Sequence, residues 1–271
     1  MPAIKTLTSS TILASFFLLG SGIATADTAA GVKALESKNY ATAYKELTAA
    51  ADQGDAVALA NLGIMYARGL GISRDVPQAV ELWQAAAARG NGPAAFYLGL
   101  IYVKGWGVQQ NYAEASHWLE MAAAQGDGRA QSAIGRLYED GYGVQQDYKA
   151  AANYFAMAAD HGMARAQFNL AQLTEKGRGV KRDEAGAFVL YKKAADQGYA
   201  PAQERVGAMY AAGTGVAADP AQALFWSTLA AKQNEKNAER RLAALTSRLS
   251  TDEATRIKQS ASAWKPVLAV K

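Results

Sequence analysis

Small and apolar residues return every 36 positions along most of this chain. Ala58, Leu62 and Tyr66 stand four apart, so they share one face of a helix, here termed helix A. The same columns read Ala94, Leu98, Tyr102; Ala130, Ile134, Tyr138; Ala166, Leu170, Thr174; and Ala202, Val206, Tyr210. A Gly-x-Gly pair follows each helix A, at Gly69/Gly71, Gly105/Gly107, Gly141/Gly143, Gly177/Gly179 and Gly213/Gly215. Its first glycine suits a left-handed C-cap, and the second allows a tight turn. Asp75, Asn111, Asp147, Asp183 and Asp219 then stand where an N-cap would start a helix B. On the first helix B, Ala79, Leu82, Trp83, Ala86 and Ala87 follow the i, i+3, i+4, i+7 stripe of a buried face.

Gly63, with Gly99, Gly135 and Gly207 in its column, costs about 1 kcal/mol of helix propensity. That cost is rational if a neighbouring helix crosses there and needs the room. The fourth unit departs from the pattern, with Ala171 for the glycine and Thr174 for the tyrosine.

A lone helix pair cannot bury its apolar face, so neighbouring pairs must stack. The expected fold is all-α, a right-handed α-α superhelix of antiparallel pairs. Its five repeats are 55–90, 91–126, 127–162, 163–198 and 199–234. Residues 27–54 read as an N-terminal capping pair, 235–265 as C-terminal capping helices and 266–271 as a tail. Ser250 with Glu253 predicts a capping box opening the last helix, whose Ala254, Ile257, Ala261 and Trp264 would close the stack.

The pattern Ala-x-x-x-Leu-Gly-x-x-Tyr-x-x-Gly-x-Gly-Val, then Asp, then Ala-x-x-Trp/Tyr and Ala-Ala-x-x-Gly, resembles the Sel-like repeats (SLR), relatives of tetratricopeptide repeats. It is clearest from Ala94 to Gly126 and covers about residues 31–246. The resemblance implies a scaffold that binds other proteins. It also implies, for exported bacterial members, links to envelope signalling, exopolysaccharide control, motility and host contact.

The first 26 residues form a separate unit. Lys5 precedes the apolar run Ile12–Leu19, which is too short to span a bilayer, and Ala24-Thr25-Ala26 suits a signal peptidase. Cleavage after Ala26 would leave a periplasmic or secreted protein starting at Asp27, with no membrane span. The 271 residues include no cysteine, which excludes disulfides, thiolate metal sites and a nucleophilic thiol.

Residues 232–271 carry nine basic and four acidic side chains, whereas 27–231 carry eighteen and twenty. Positive charge therefore gathers at the C-terminal end, and no basic stripe for nucleic acid runs along the body. Lys232, Lys236, Arg240, Arg241 and Arg248 open an alternative reading as an electrostatic tether to an anionic envelope surface.

Chemistry is sparse. None of the Gly-x-Gly loops has the spacing of a nucleotide loop. His117 and His161 fall in separate units without a partner at ligand spacing, and no nucleophile elbow occurs. The expectation is a non-enzyme with no catalytic residues, cofactor or metal. A cell-wall or β-lactam-acting hydrolase is the alternative that the resemblance suggests. Trp83, Trp118 and Trp226 fall in packing columns of helix B.

A binding surface is free to vary where the core columns are not. The columns starting at residues 57, 60, 61 and 64 lie on one side of helix A. The resemblance implies that this side is concave. Phe96, Tyr97 and Leu100 cluster there, flanked by Arg129, Arg136 and Arg165, with Phe168, Asn169 and Gln172 one unit further on. These nine residues are the candidate partner-binding site, for a protein or peptide and favouring an acidic one. Aromatics beside arginine would serve as exposed anchors; alternatively, Phe96 and Phe168 fill the seam between helices.

Overall fold

Gly69, Gly105, Gly141, Gly177 and Gly213 all adopt left-handed backbone conformations, with φ between 65° and 73°, and each ends a helix. This computed structural model describes residues 27–267, so the expected signal segment and residues 268–271 lie outside the described residues. Among the described residues there are fourteen helices and no strand.

An opening pair, α1 (Thr28–Glu36) and α2 (Tyr40–Asp52), precedes five equal units. These are α3 (Ala56–Arg68) with α4 (Val76–Ala87), α5 (Gly92–Lys104) with α6 (Tyr112–Ala124), and α7 (Gly128–Asp140) with α8 (Tyr148–Asp160). Then follow α9 (Ala164–Lys176) with α10 (Glu184–Asp196), and α11 (Ala200–Ala212) with α12 (Pro220–Ala231). Two further helices, α13 (Lys236–Thr246) and α14 (Thr251–Ala263), complete the chain. Through α13 each helix packs on the next, and α14 folds back onto α12; the other partners among the described residues are near neighbours in the stack. The architecture is the expected α-α solenoid.

The helix B caps are as expected. Asp75 accepts from Gln78 N at 3.0 Å, Asn111 from Ala113 N at 3.1 Å, and Asp147, Asp183 and Asp219 repeat the arrangement. The loop register is fixed by a backbone bond from each cap to the preceding helix A, for example Asp75 N to Tyr66 O at 3.0 Å. The fourth unit keeps that bond although its tyrosine is replaced, because Asp183 N reaches Thr174 O at the same 3.0 Å. The substitution changes a side chain and leaves the backbone frame intact.

The Gly63 column is where helix B crosses helix A. A Cβ there would strike Trp83, and at Gly99, Gly135 and Gly207 it would strike Leu119, Phe155 and Ser227. The second glycine of each loop has a role beyond the tight turn. Gly143 and Gly179 pack onto the backbone of Tyr112 and Tyr148, the first residues of helix B one unit earlier. A Cβ at either would overlap that backbone, so these glycines join successive units.

Ser250 accepts from Glu253 N at 3.3 Å. Ala254 and Ala261 are buried against the last units, and Trp264 meets Trp226 edge to face. Beyond α14 the chain stays attached, with Val267 N donating to Asp196 O at 2.8 Å. Of the basic stretch, Lys236, Arg240 and Arg241 lie on α13, and two of its members are engaged. Arg241 pairs with Glu204 at 2.7 Å, and Lys232 donates to Ser262 at 2.8 Å.

Candidate functional site

The A helices of the second, third and fourth units place one groove between them, about 510 Å³ in volume. Spacing of three and four along each helix puts its lining on a single face. From α5 come Phe96, Leu100 and Lys104; from α7 come Arg129, Ser132 and Arg136; from α9 come Arg165 and Asn169. Two flanking clefts continue along the same side. One, of about 270 Å³, includes Tyr97, Trp83 and Trp106; the other, of about 680 Å³, includes Phe168 and Gln172. Six of the nine candidate residues therefore share the central groove, and the other three line its neighbours.

Phe96 is not an exposed anchor. It is 7% exposed and belongs to the core, with the Arg129 guanidinium 4.3 Å above its ring. The seam-filling alternative holds there because the ring covers contacts between successive helix pairs, and Arg129 then covers the ring. Tyr97 is half-buried and stacks on Trp83 at 5.2 Å. Phe168 is also half-buried, held edge-on between Tyr191 and Tyr199. Asn169 is buried at 4% exposure. The accessible candidates are the arginines.

Their settings differ. Arg129 is anchored by a bidentate bridge to Asp127, with contacts of 3.1 and 2.7 Å. Burial alone would raise the Asp127 carboxyl, but hydrogen bonds from Arg129, its charge, and the backbone N–H groups of Ala130 and Arg129 hold it below the usual carboxylate range. Arg136 pairs with Asp140 one turn on at 3.1 Å. Arg165 is exposed and makes no ion pair or hydrogen bond among the described residues.

The C-terminal cleft is electrostatically closed by comparison. Glu175 accepts from Arg205 and, at 2.9 Å, from the Tyr191 hydroxyl, while Glu204 takes Arg241. Burial and the nearby Arg241 charge lower the Arg205 guanidinium from its ordinary value.

Sequence reasoning missed two features. Trp106, the residue between two loop glycines, is 59% exposed and is the most open tryptophan-bearing site named on this side. Its column reads Leu70, Trp106, Tyr142, Arg178 and Thr214, which no core pattern marks. The second is a buried glutamine column, Gln131, Gln167 and Gln203, each donating to a carbonyl at the end of the preceding helix B. It recurs at the 36-residue period and was detectable. Of the helix B tryptophans, Trp83 and Trp226 are buried and Trp118 is half-buried beside His117. His161 is an exposed C-cap residue of α8, and among the described residues no three metal-ligating side chains come together.

Stacked helix pairs with a charged groove across successive A helices define a tandem-repeat solenoid. The model of the Sel1 repeat matches residues 56–91, 92–127, 128–163, 164–199 and 200–235, and the chain belongs to the Sel1 repeat family. Proteins of this family generally mediate protein–protein interaction on a scaffold-type fold. A Sel1 repeat protein from Oxalobacter formigenes is 30% identical, with a TM-score of 0.77 over 87% of this chain and 97% of that one. A protective antigen of uropathogenic Escherichia coli strains, displaying an SLR fold, is also 30% identical, with a TM-score of 0.73 over 86% of this chain. The match covers 53% of that antigen, so this chain spans about half its length. No curated protein matches the sequence.

Proposed function

We propose that this protein is a non-enzymatic scaffold of the bacterial envelope that holds a protein or peptide segment in the groove of α5, α7 and α9. The observation that carries the reading is the groove itself: exposed Arg136 and Arg165 stand beside an apolar floor that crosses three units. Signal-like residues 1–26 support export to the periplasm or beyond. The basic C-terminal stretch favours the tether reading less, because Arg241 and Lys232 are occupied within the fold.

The test is photo-crosslinking in intact cells from p-benzoylphenylalanine placed at Arg136 or Gln172 in the clefts, and at exposed Val189 on α10 as a control. A discrete adduct from the groove positions and none from Val189 is expected. Equal labelling from all three, or none from the groove, would remove the groove as the binding surface.

A further inference from the structure

The central groove contains two polar side chains that the fold leaves unused. Asn169 is 4% exposed and Ser132 is 9% exposed, and neither makes a hydrogen bond among the described residues. Both line the groove, so the little surface they keep opens into it. Neither side chain has a polar atom that is enclosed and unpaired, so a ligand in the groove can reach an amide and a hydroxyl that the fold does not use.

Charge narrows the partner. Lys104, Arg129, Arg136 and Arg165 line the groove against Asp140 alone, although residues 27–231 carry more acidic than basic side chains. Arg129 is held in place by Asp127 and Phe96, whereas Arg165, one turn from Asn169 on α9, has no internal partner. The free Arg165 guanidinium matches a planar carboxylate in two-pronged hydrogen bonds, and at Arg136 a ligand carboxylate would displace the exposed bridge to Asp140.

The amide narrows it further. Asn169 offers an acceptor and two donors, the complement of a peptide group's N–H and C=O. A phosphate or sulfate presents acceptors only and would leave the Asn169 carbonyl oxygen unpaired. Leu100, Leu137 and Ala133 add an apolar floor suited to an aliphatic side chain. Packed helices lie about 9 Å apart, so three of them span about 18 Å. An extended chain covers that in roughly five or six residues.

Resting on the scaffold reading above, we infer that the α5–α7–α9 groove binds an extended acidic peptide segment. In this arrangement Asn169 and Ser132 take its backbone, and Arg165 and Arg136 take its carboxylates.

The experiment is selection of a displayed random-hexapeptide library on the full protein, followed by fluorescence anisotropy with the enriched peptide and with its Gln-for-Glu, Asn-for-Asp version. Enrichment of Asp or Glu alternating with apolar residues is expected. The amidated peptide should bind at least about tenfold more weakly, as the loss of a charge-assisted hydrogen bond implies. Arg165→Glu, a change at an exposed residue without partners, should weaken binding by a similar factor. Asn169→Ala should weaken it about fivefold, with an unchanged circular-dichroism melt showing that the helix stack is intact.

No enrichment, enrichment without acidic residues, or indifference to Arg165→Glu would overturn the inference. Binding of short-chain polyphosphate that depends on Arg165 but not on Asn169, without peptide binding, would overturn it in favour of a simple anion site. Groove adducts in the intact-cell crosslinking would then still leave the scaffold reading standing, so the two failures are distinguishable.

Discussion

Gln233 donates its side-chain amide to Gln203 Oε1 at 2.9 Å, and Gln203 in turn donates to Ala195 O at 3.2 Å. The same relay recurs one unit earlier, from Gln197 to Gln167 at 2.8 Å. Both pairs are 30 residues apart, and each ties the end of one helix B to the helix A before it and, through that glutamine, to the end of the previous helix B. One unit earlier still, the donor slot is filled by His161, and Gln131 Oε1 is buried without a partner. Replacing that histidine with the residue its neighbours use should complete the relay. His161→Gln is expected to stabilise the protein by about 0.5–1.5 kcal/mol, the net worth of one hydrogen bond. Urea unfolding checks this, and a midpoint that falls or stays fixed would contradict it.

The glycines of the repeat should not be equivalent. Gly126 has positive φ, but a Cβ at this position would meet nothing within 4 Å, so Gly126→Ala carries only the left-handed backbone penalty of about 1–2 kcal/mol. Gly143 has similar φ, but its Cβ would overlap the Tyr112 backbone. Gly143→Ala must also push two units apart, and it should lower stability by clearly more than Gly126→Ala. Thermal melts of the two variants side by side decide the matter; equal losses would show that the inter-unit contact is soft.

The fold was legible because every unit solves the same packing problem, so Gly99 and Gly135 repeat whatever faces them. Their partners were less legible. Trp83, Leu119, Phe155, Tyr191 and Ser227 occupy one column but differ in size, because each adapts to a local seam. The site was half visible. Helical spacing put Arg129, Arg136, Arg165 and Asn169 on one face, as the groove has them. Spacing has no information on depth, however, and Phe96 lies under Arg129 because the neighbouring unit closes over it. Trp106 escaped notice because an exposed loop residue obeys no period of the core.

Phe96→Ala should consequently act on stability as well as on any partner. Removing a ring that is 7% exposed opens a cavity and takes away the support of Arg129, at a cost of about 3–5 kcal/mol. Arg165→Ala, at an exposed and unpaired position, should stay within about 0.5 kcal/mol of the parent. Guanidinium denaturation of both checks the contrast, and a stable Phe96→Ala protein would return that ring to the list of free anchors.

Alkaline pH should loosen the stack through its tyrosines. Tyr138 donates to Glu120 Oε1 at 2.7 Å, and that hydrogen bond, with burial next, pushes its hydroxyl up to about 12. Burial, foremost, raises Tyr191, and the hydrogen bond with Tyr44 raises Tyr66. In the unfolded chain a tyrosine ionises near 10. The folded state holds these protons more tightly, so their contribution is fully present below about pH 10 and is lost as pH rises from there to about 12. The urea midpoint should therefore fall steeply across that window, and less steeply in Tyr138→Phe. Tyrosinate absorbance at 295 nm gives the independent check: a class of tyrosines that ionises only as the helical signal disappears is expected. Complete titration near pH 10 with the helices intact would show that the Glu120 bond does not hold the proton.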